Sequence, residues 1–209
     1  MEESPAINLP LATLFPMRAF IAIDLPADIR TTLGQKQADF RTALSQANPS
    51  SPQFESNIRW THPEGIHLTL KFLGEITDAQ VKQVTDSLSG LKPFESFSVE
   101  VKGFGFFPSA ERPRVLWAGV QAPPVLARLA GEVESSMESS GFPREQRVFN
   151  PHLTLARFRA PAPRPNLRAL VEQQADATMG RFEITHFYLF ESKLSPRGSE
   201  YRKVARFPL

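Results

Sequence analysis

The chain has no cysteine. That excludes a disulfide framework, a thiolate metal site and a thiol nucleophile. Charge of one sign is also scarce. The 24 Lys and Arg against 22 Asp and Glu leave a formal net charge of +2, too small by itself to announce a nucleic-acid binder. No apolar run approaches the ~20 residues needed to span a bilayer, so no membrane role is expected. The segment 1–16 carries Glu2 and Glu3, no basic residue and three prolines, so it lacks the positive start and unbroken apolar core of a secretory signal. There is no Gly-x-Ser-x-Gly elbow and no His-Glu-x-x-His helix, which argues against a serine hydrolase and a zinc protease. A soluble, cytoplasmic, monomeric protein is expected. Its hydrophobic content of 41%, with 17 Phe, suffices for a folded interior.

Histidine is scarce too, and its placement is the informative feature. Of four histidines, two head copies of one tetrapeptide: His67-Leu68-Thr69-Leu70 and His152-Leu153-Thr154-Leu155. Successive side chains on a strand point to opposite faces. Each copy therefore reads as a strand with two leucines in the core and an imidazole plus a hydroxyl on its open face. Two such strands side by side would give one pocket with two histidines, the equipment for one general base and one general acid. A phosphate diester suits such a pocket. Its non-bridging oxygens gain charge during transfer, and a hydroxyl beside each imidazole can donate to them. Both rings titrate near neutral pH. His62 and His186 read as structural.

The segment 1–16 is expected to be a disordered extension, and 17–209 a single domain. Apolar spacing predicts a strand over 18–23, a helix over 27–47, a short strand over 58–60, and a first motif strand over 66–73 ended by Gly74. A helix follows from the N-cap Thr77 to about residue 88, then strands over 97–107 and 115–120 and a helix from Pro124 to about residue 139. The second motif strand covers 149–158. A helix from 167 to about 174 and a closing hairpin over 184–191 and 201–207 complete the chain. Neighbouring strands often lack a helix between them, so the reading is mixed α and β with largely antiparallel sheet.

Two histidines without a carboxylate two residues on, and threonine in its place, make a poor zinc site, so metal-free chemistry without a cofactor is favoured. Two cations could hold the phosphate. Strict alternation puts Arg157 on the leucine face of its strand and Lys71 on the face of His67, which makes Lys71 the better placed. Six arginines between residues 144 and 168, against one acid, outline either a basic face for an anionic ligand or a solvated surface. Phe20, Phe149, Phe158 and Trp60 are candidates for stacking on a base, with core packing the commoner role.

Paired His-x-Thr-x motifs resemble those of the two-histidine phosphoesterase superfamily, in particular its RNA 2′,3′-cyclic phosphodiesterase branch, historically called 2′-5′ RNA ligase. The likeness extends to 17–24, 66–77, 114–119, 151–157 and 205–207. It implies an α+β fold of two pseudo-symmetric lobes, largely antiparallel sheet with outer helices, each lending one His-x-Thr-x strand to a central cleft. It implies His67 as general acid, His152 as general base, and Thr69, Thr154 and Arg157 as phosphate contacts, with no metal. The implied substrates are RNA ends bearing 2′,3′-cyclic phosphate, tRNA fragments among them, or cyclic nucleotides, opened to 2′-phosphates, with reversible 2′-5′ joining as a related reaction. Two alternatives stand beside it: a cyclic phosphodiesterase acting on a nucleotide metabolite, and a nucleotide- or RNA-binding module without turnover.

Overall fold

The structure, a computed structural model, describes residues 16–47, 56–159, 167–195 and 198–209. All of the expected extension except Pro16 lies outside the described residues. Nine strands form one antiparallel sheet: β1 (Met17–Ile23), β2 (Ile58–Trp60), β3 (Leu68–Ile76), β4 (Phe97–Phe107), β5 (Val115–Gln121), β6 (His152–Phe158), β7 (Thr178–Ile184), β8 (His186–Ser195) and β9 (Gly198–Pro208). The helices are α1 (Ala27–Ala47), α2 (Asp78–Ser89), α3 (Pro124–Ser139) and the short α4 (Leu167–Glu172). Thr77 caps α2 through a capping box with Gln80.

The strand order is β7-β4-β5-β6-β3-β1-β8-β9, with β2 paired to β6. It divides into two sets of four that meet at β6 and β3, the two motif strands. This is the α+β, two-lobed arrangement expected. The junction is a single antiparallel pair, Leu68 opposite Leu153. These are the same residue of the two tetrapeptides, so the pseudo-two-fold axis passes between them. Both leucines are fully buried, each contributing roughly 1.5–3 kcal/mol of hydrophobic stabilisation. The helices tie the halves together: α3 packs on β3 and α1 on β7.

Two departures from simple alternation matter. The strand β3 runs through Gly74 to Ile76, where the sequence reading stops it. Gly74 sits at φ +78 beside a register shift against β1, which a side chain would strain. The strand β7 was not anticipated at all. The basic cluster also resolves: Arg144 pairs with Glu138, Arg147 with Glu145 and Arg168 with Glu172. These arginines are balanced locally, so the solvated-surface reading is the better one for them.

Candidate active site

Each motif histidine is held the same way. His67 Nδ1 lies 2.8 Å from the carbonyl oxygen of Gly65, and His152 Nδ1 lies 2.7 Å from that of Asn150, two residues back in both cases. A carbonyl only accepts, so Nδ1 carries the proton and donates. That leaves Nε2 of each neutral ring with an open lone pair for proton transfer.

The register then sets their relation. With Leu68 opposite Leu153, antiparallel pairing puts His67 across from Thr154, and Thr69 across from His152. The two histidines thus sit on a diagonal of one face, a spacing of about 7–8 Å in a regular ladder. A cavity of about 420 Å³ opens on that face, lined among others by His67, Thr69, Thr154, Arg157, Phe72 and Tyr201. His152 is not among its lining residues. It stands two positions along β6 from Thr154, on the same face, with the Phe107 ring edge-on at 4.9 Å. His67 stacks on Phe20 at 4.5 Å and meets Tyr201 edge-on at 5.1 Å.

This packing acts on both rings. Burial pushes the His67 pKa down from 6.5 to about 4, against the pull of the Gly65 carbonyl and the Asp24 carboxylate; Arg157 and Arg30 push it down further. His152 is lowered for the same leading reason, with Arg157 again adding to the effect. Both rings are therefore neutral at pH 7.

The two cations are placed the opposite way from the alternation argument. In β6, Thr154 faces Trp117 of β5 and Ala156 faces Leu116, so Leu155 is an extra residue, a β-bulge. In β3, Thr69 faces Ala22 and Lys71 faces Ile21, so Leu70 is the extra residue. The bulge falls at the same place in both copies. From the histidine onward, both read partly exposed, buried, partly exposed, buried, buried, exposed, buried.

The bulge inverts the parity of everything after it. Arg157 returns to the face of His152 and Thr154 and enters the cavity. Lys71 turns inward, where its Nζ lies 2.6 Å from Glu134 Oε1 on α3 and 2.9 Å from the Pro143 carbonyl, at 5% exposure. Lys71 is a buried structural ion pair, and its assignment as the better-placed cation is corrected.

Three contributors were not singled out from the sequence. Phe72 and Tyr201 line the cavity. Gln37, buried on α1, donates from Nε2 to the carbonyls of Thr61 and of Leu155, the bulge residue, both at 2.8 Å. Doublets in the burial alternation would betray a bulge, but sequence alone does not expose them. Of the aromatic candidates, Phe158 is core, Trp60 and Phe149 pack against the core, and Phe20, at 3% exposure, has no free face for a base.

Comparison with known proteins agrees with this architecture. Residues 23–117 and 120–201 match the family described as LigT like Phosphoesterase. The chain belongs to the LigT-like phosphoesterase family. An RNA 2′,3′-cyclic phosphodiesterase of Archaeoglobus fulgidus is 31% identical over 191 residues, covering 91% of this chain and 99% of that protein. One from Methanothermobacter thermautotrophicus is 29% identical over 197 residues, covering 92% and 99%. The crystal structure of E. coli LigT complexed with 3′-AMP superposes with a TM-score of 0.70 at 28% identity, covering 93% of this chain and 98% of that one. Among the described residues no helix is long and apolar enough to cross a membrane.

Proposed function

We propose that this LigT-like phosphoesterase hydrolyses 2′,3′-cyclic phosphates at RNA ends to 2′-phosphates by acid/base catalysis with two histidines and no metal. The observation that carries the reading is the paired anchoring of His67 and His152 through Nδ1, which presents two Nε2 atoms to one polar face. In this scheme His152 takes a proton from water as the water attacks phosphorus. His67 delivers a proton to the departing 3′ oxygen in line with the attack. Thr69 and Thr154 donate hydroxyl hydrogen bonds to the non-bridging oxygens, and the Arg157 guanidinium offsets their charge. With the 5′-hydroxyl of a second RNA end in place of water, His152 takes its proton, the 2′-5′ phosphodiester forms as the P–O3′ bond breaks, and His67 protonates the 3′ oxygen, so the same pair serves 2′-5′ joining.

The donor set supports chemistry without a metal, since each motif sets a threonine, a poor zinc ligand, two residues after its histidine where a carboxylate would serve. One chain supplies both motif strands, which supports action as a monomer.

The test is hydrolysis of 2′,3′-cyclic AMP, and of a short RNA with a 2′,3′-cyclic end, in excess EDTA with products resolved by chromatography. The 2′-phosphate is expected. His67→Ala and His152→Ala should each lower the rate on the order of 10²–10⁴-fold. Turnover that needs an added divalent cation, or a 3′-phosphate product, would overturn the scheme.

A further inference from the structure

The sheet carries the face of the two histidines onward in one direction. The strand β6 pairs with β3 at Leu153, and from Leu155 onward β2 takes the place of β3 along its edge. Leu155 accepts from the Thr61 amide, Trp60 faces Ala156 and Arg59 faces Arg157. The Arg159 amide donates to the Asn57 carbonyl at 2.9 Å, which extends the pairing one step further. Because His67 stands across from Thr154, this extension leaves the cavity on the His67 side and runs away from His152.

The charge on that extension is uncompensated. Ile58 and Phe158 turn into the core, so Arg59, Arg157 and Arg159 turn to the open face, where all three are exposed. Arg59 and Arg157 are directly opposite each other, a placement in which like charges repel. Among the described residues no carboxylate pairs with any of the three. Arg144, Arg147 and Arg168, close by in the sequence, each have such a partner. Arg59 instead reaches Ser199 Oγ through Nη2 at 3.4 Å, and Ser199 lines the cavity together with Arg157. Arg157 and Arg159 lie about 7 Å apart along the strand. Guanidinium groups without acids, set in a row that leads out of a phosphate pocket, suit a run of phosphates.

The reaction chemistry says which phosphates these are. The oxygen that departs toward His67 is the 3′ oxygen of the terminal ribose. That ribose, and the chain attached to its 5′ carbon, therefore lies on the His67 side, where the arginines are. We infer that Arg59 and Arg159 hold the backbone phosphates on the 5′ side of the terminal nucleotide, so that the preferred substrate is an RNA end rather than a free cyclic nucleotide. The inference rests on the phosphodiesterase reading and names its substrate class.

The test compares a short single-stranded RNA ending in a 2′,3′-cyclic phosphate with 2′,3′-cyclic AMP, which has no backbone phosphate. Both are assayed with the wild type, with Arg59→Gln plus Arg159→Gln, and with Arg59→Lys plus Arg159→Lys. Each phosphate contact to a single strand adds about −0.7 to the slope of log affinity against log salt, so two contacts amount to about a sevenfold loss between about 50 and 200 mM salt. The glutamine double variant should shed that share of the salt dependence on RNA and lose about 10- to 100-fold in kcat/KM at about 50 mM salt. Its kcat/KM on 2′,3′-cyclic AMP should be unaffected, which also shows that it folds. The lysine double variant should keep the RNA slope, because counterion release needs the charge and not the fork. Fluorescence anisotropy of the same RNA ending in a 2′-phosphate, against calorimetric binding of 2′-AMP, gives a readout independent of turnover: the glutamine double variant should weaken the first and not the second. Equal effects on RNA and mononucleotide, or no effect on RNA, would overturn the inference. Absence of turnover in the wild type, with RNA binding still weakened selectively by the glutamine substitutions, would sink the catalytic reading and leave the arginine track standing.

Discussion

The enclosure of His67 makes a measurable claim on stability. Its ring is held neutral by burial, with a folded pKa of about 4 against 6.5 for the free side chain. As pH falls below 6.5 the unfolded chain takes up a proton that the folded chain refuses. The contribution is therefore fully present above pH 6.5 and is lost progressively down to about pH 4. A 2.5-unit difference, from 6.5 to about 4, at 1.36 kcal/mol per unit, corresponds to about 3 kcal/mol.

Urea unfolding of the wild type and His67→Gln at pH 7 and at pH 4.2 isolates this quantity, because other titrating groups cancel in the double difference. The wild type should lose about 3 kcal/mol more than the variant over that interval. Inorganic phosphate should narrow the gap, since an anion beside the ring favours its charged form. The same effect is required of a substrate if His67 is to act as an acid. Equal losses in the two proteins, with or without phosphate, would refute the argument that packing holds His67 neutral.

Two further outcomes follow from the bulges and what secures them. Lys71→Met leaves Glu134 facing the interior without its cation and should cost about 3–5 kcal/mol, whereas Lys71→Met with Glu134→Leu should recover most of that; thermal unfolding checks both, and kcat should change in neither. Gln37→Leu removes two buried hydrogen bonds and should cost about 1–3 kcal/mol. By loosening the Leu155 carbonyl it should also raise KM for a cyclic nucleotide more than it lowers kcat, in steady-state assays.

Much of this molecule is legible in its sequence, for identifiable reasons. The helices α1, α2 and α3 carry regular apolar spacing and clear ends, and the repeated tetrapeptide places an imidazole and a hydroxyl on one face of each motif strand. What alternation could not reveal is where it fails. The bulges at Leu70 and Leu155 depend on partners far away in the chain: Gln37 reaches the Leu155 carbonyl from α1, and Glu134 receives Lys71 from α3. Arg157 and Lys71 were therefore exchanged in the reading by parity. The strand β7 escaped because Thr178–Ile184 is short and interrupted by Gly180 at φ +121. The arginine run leaves a ligand face and a solvated surface equally open in the sequence, because a count of charges does not record which of them are paired.

The order of the strands has a consequence for biosynthesis. The half that contains His67 is built from β1 and β3 near the start of the chain and from β8 and β9 at its finish, with the whole other half inserted between. Tyr201 and Phe190, which flank the His67 ring, belong to β9 and β8 and follow β4 to β7 in the chain. A nascent chain therefore carries a complete second half well before its first imidazole has acquired these neighbours. A chain cut after β7 therefore keeps Arg157 and His152 but leaves His67 without Phe190 and Tyr201.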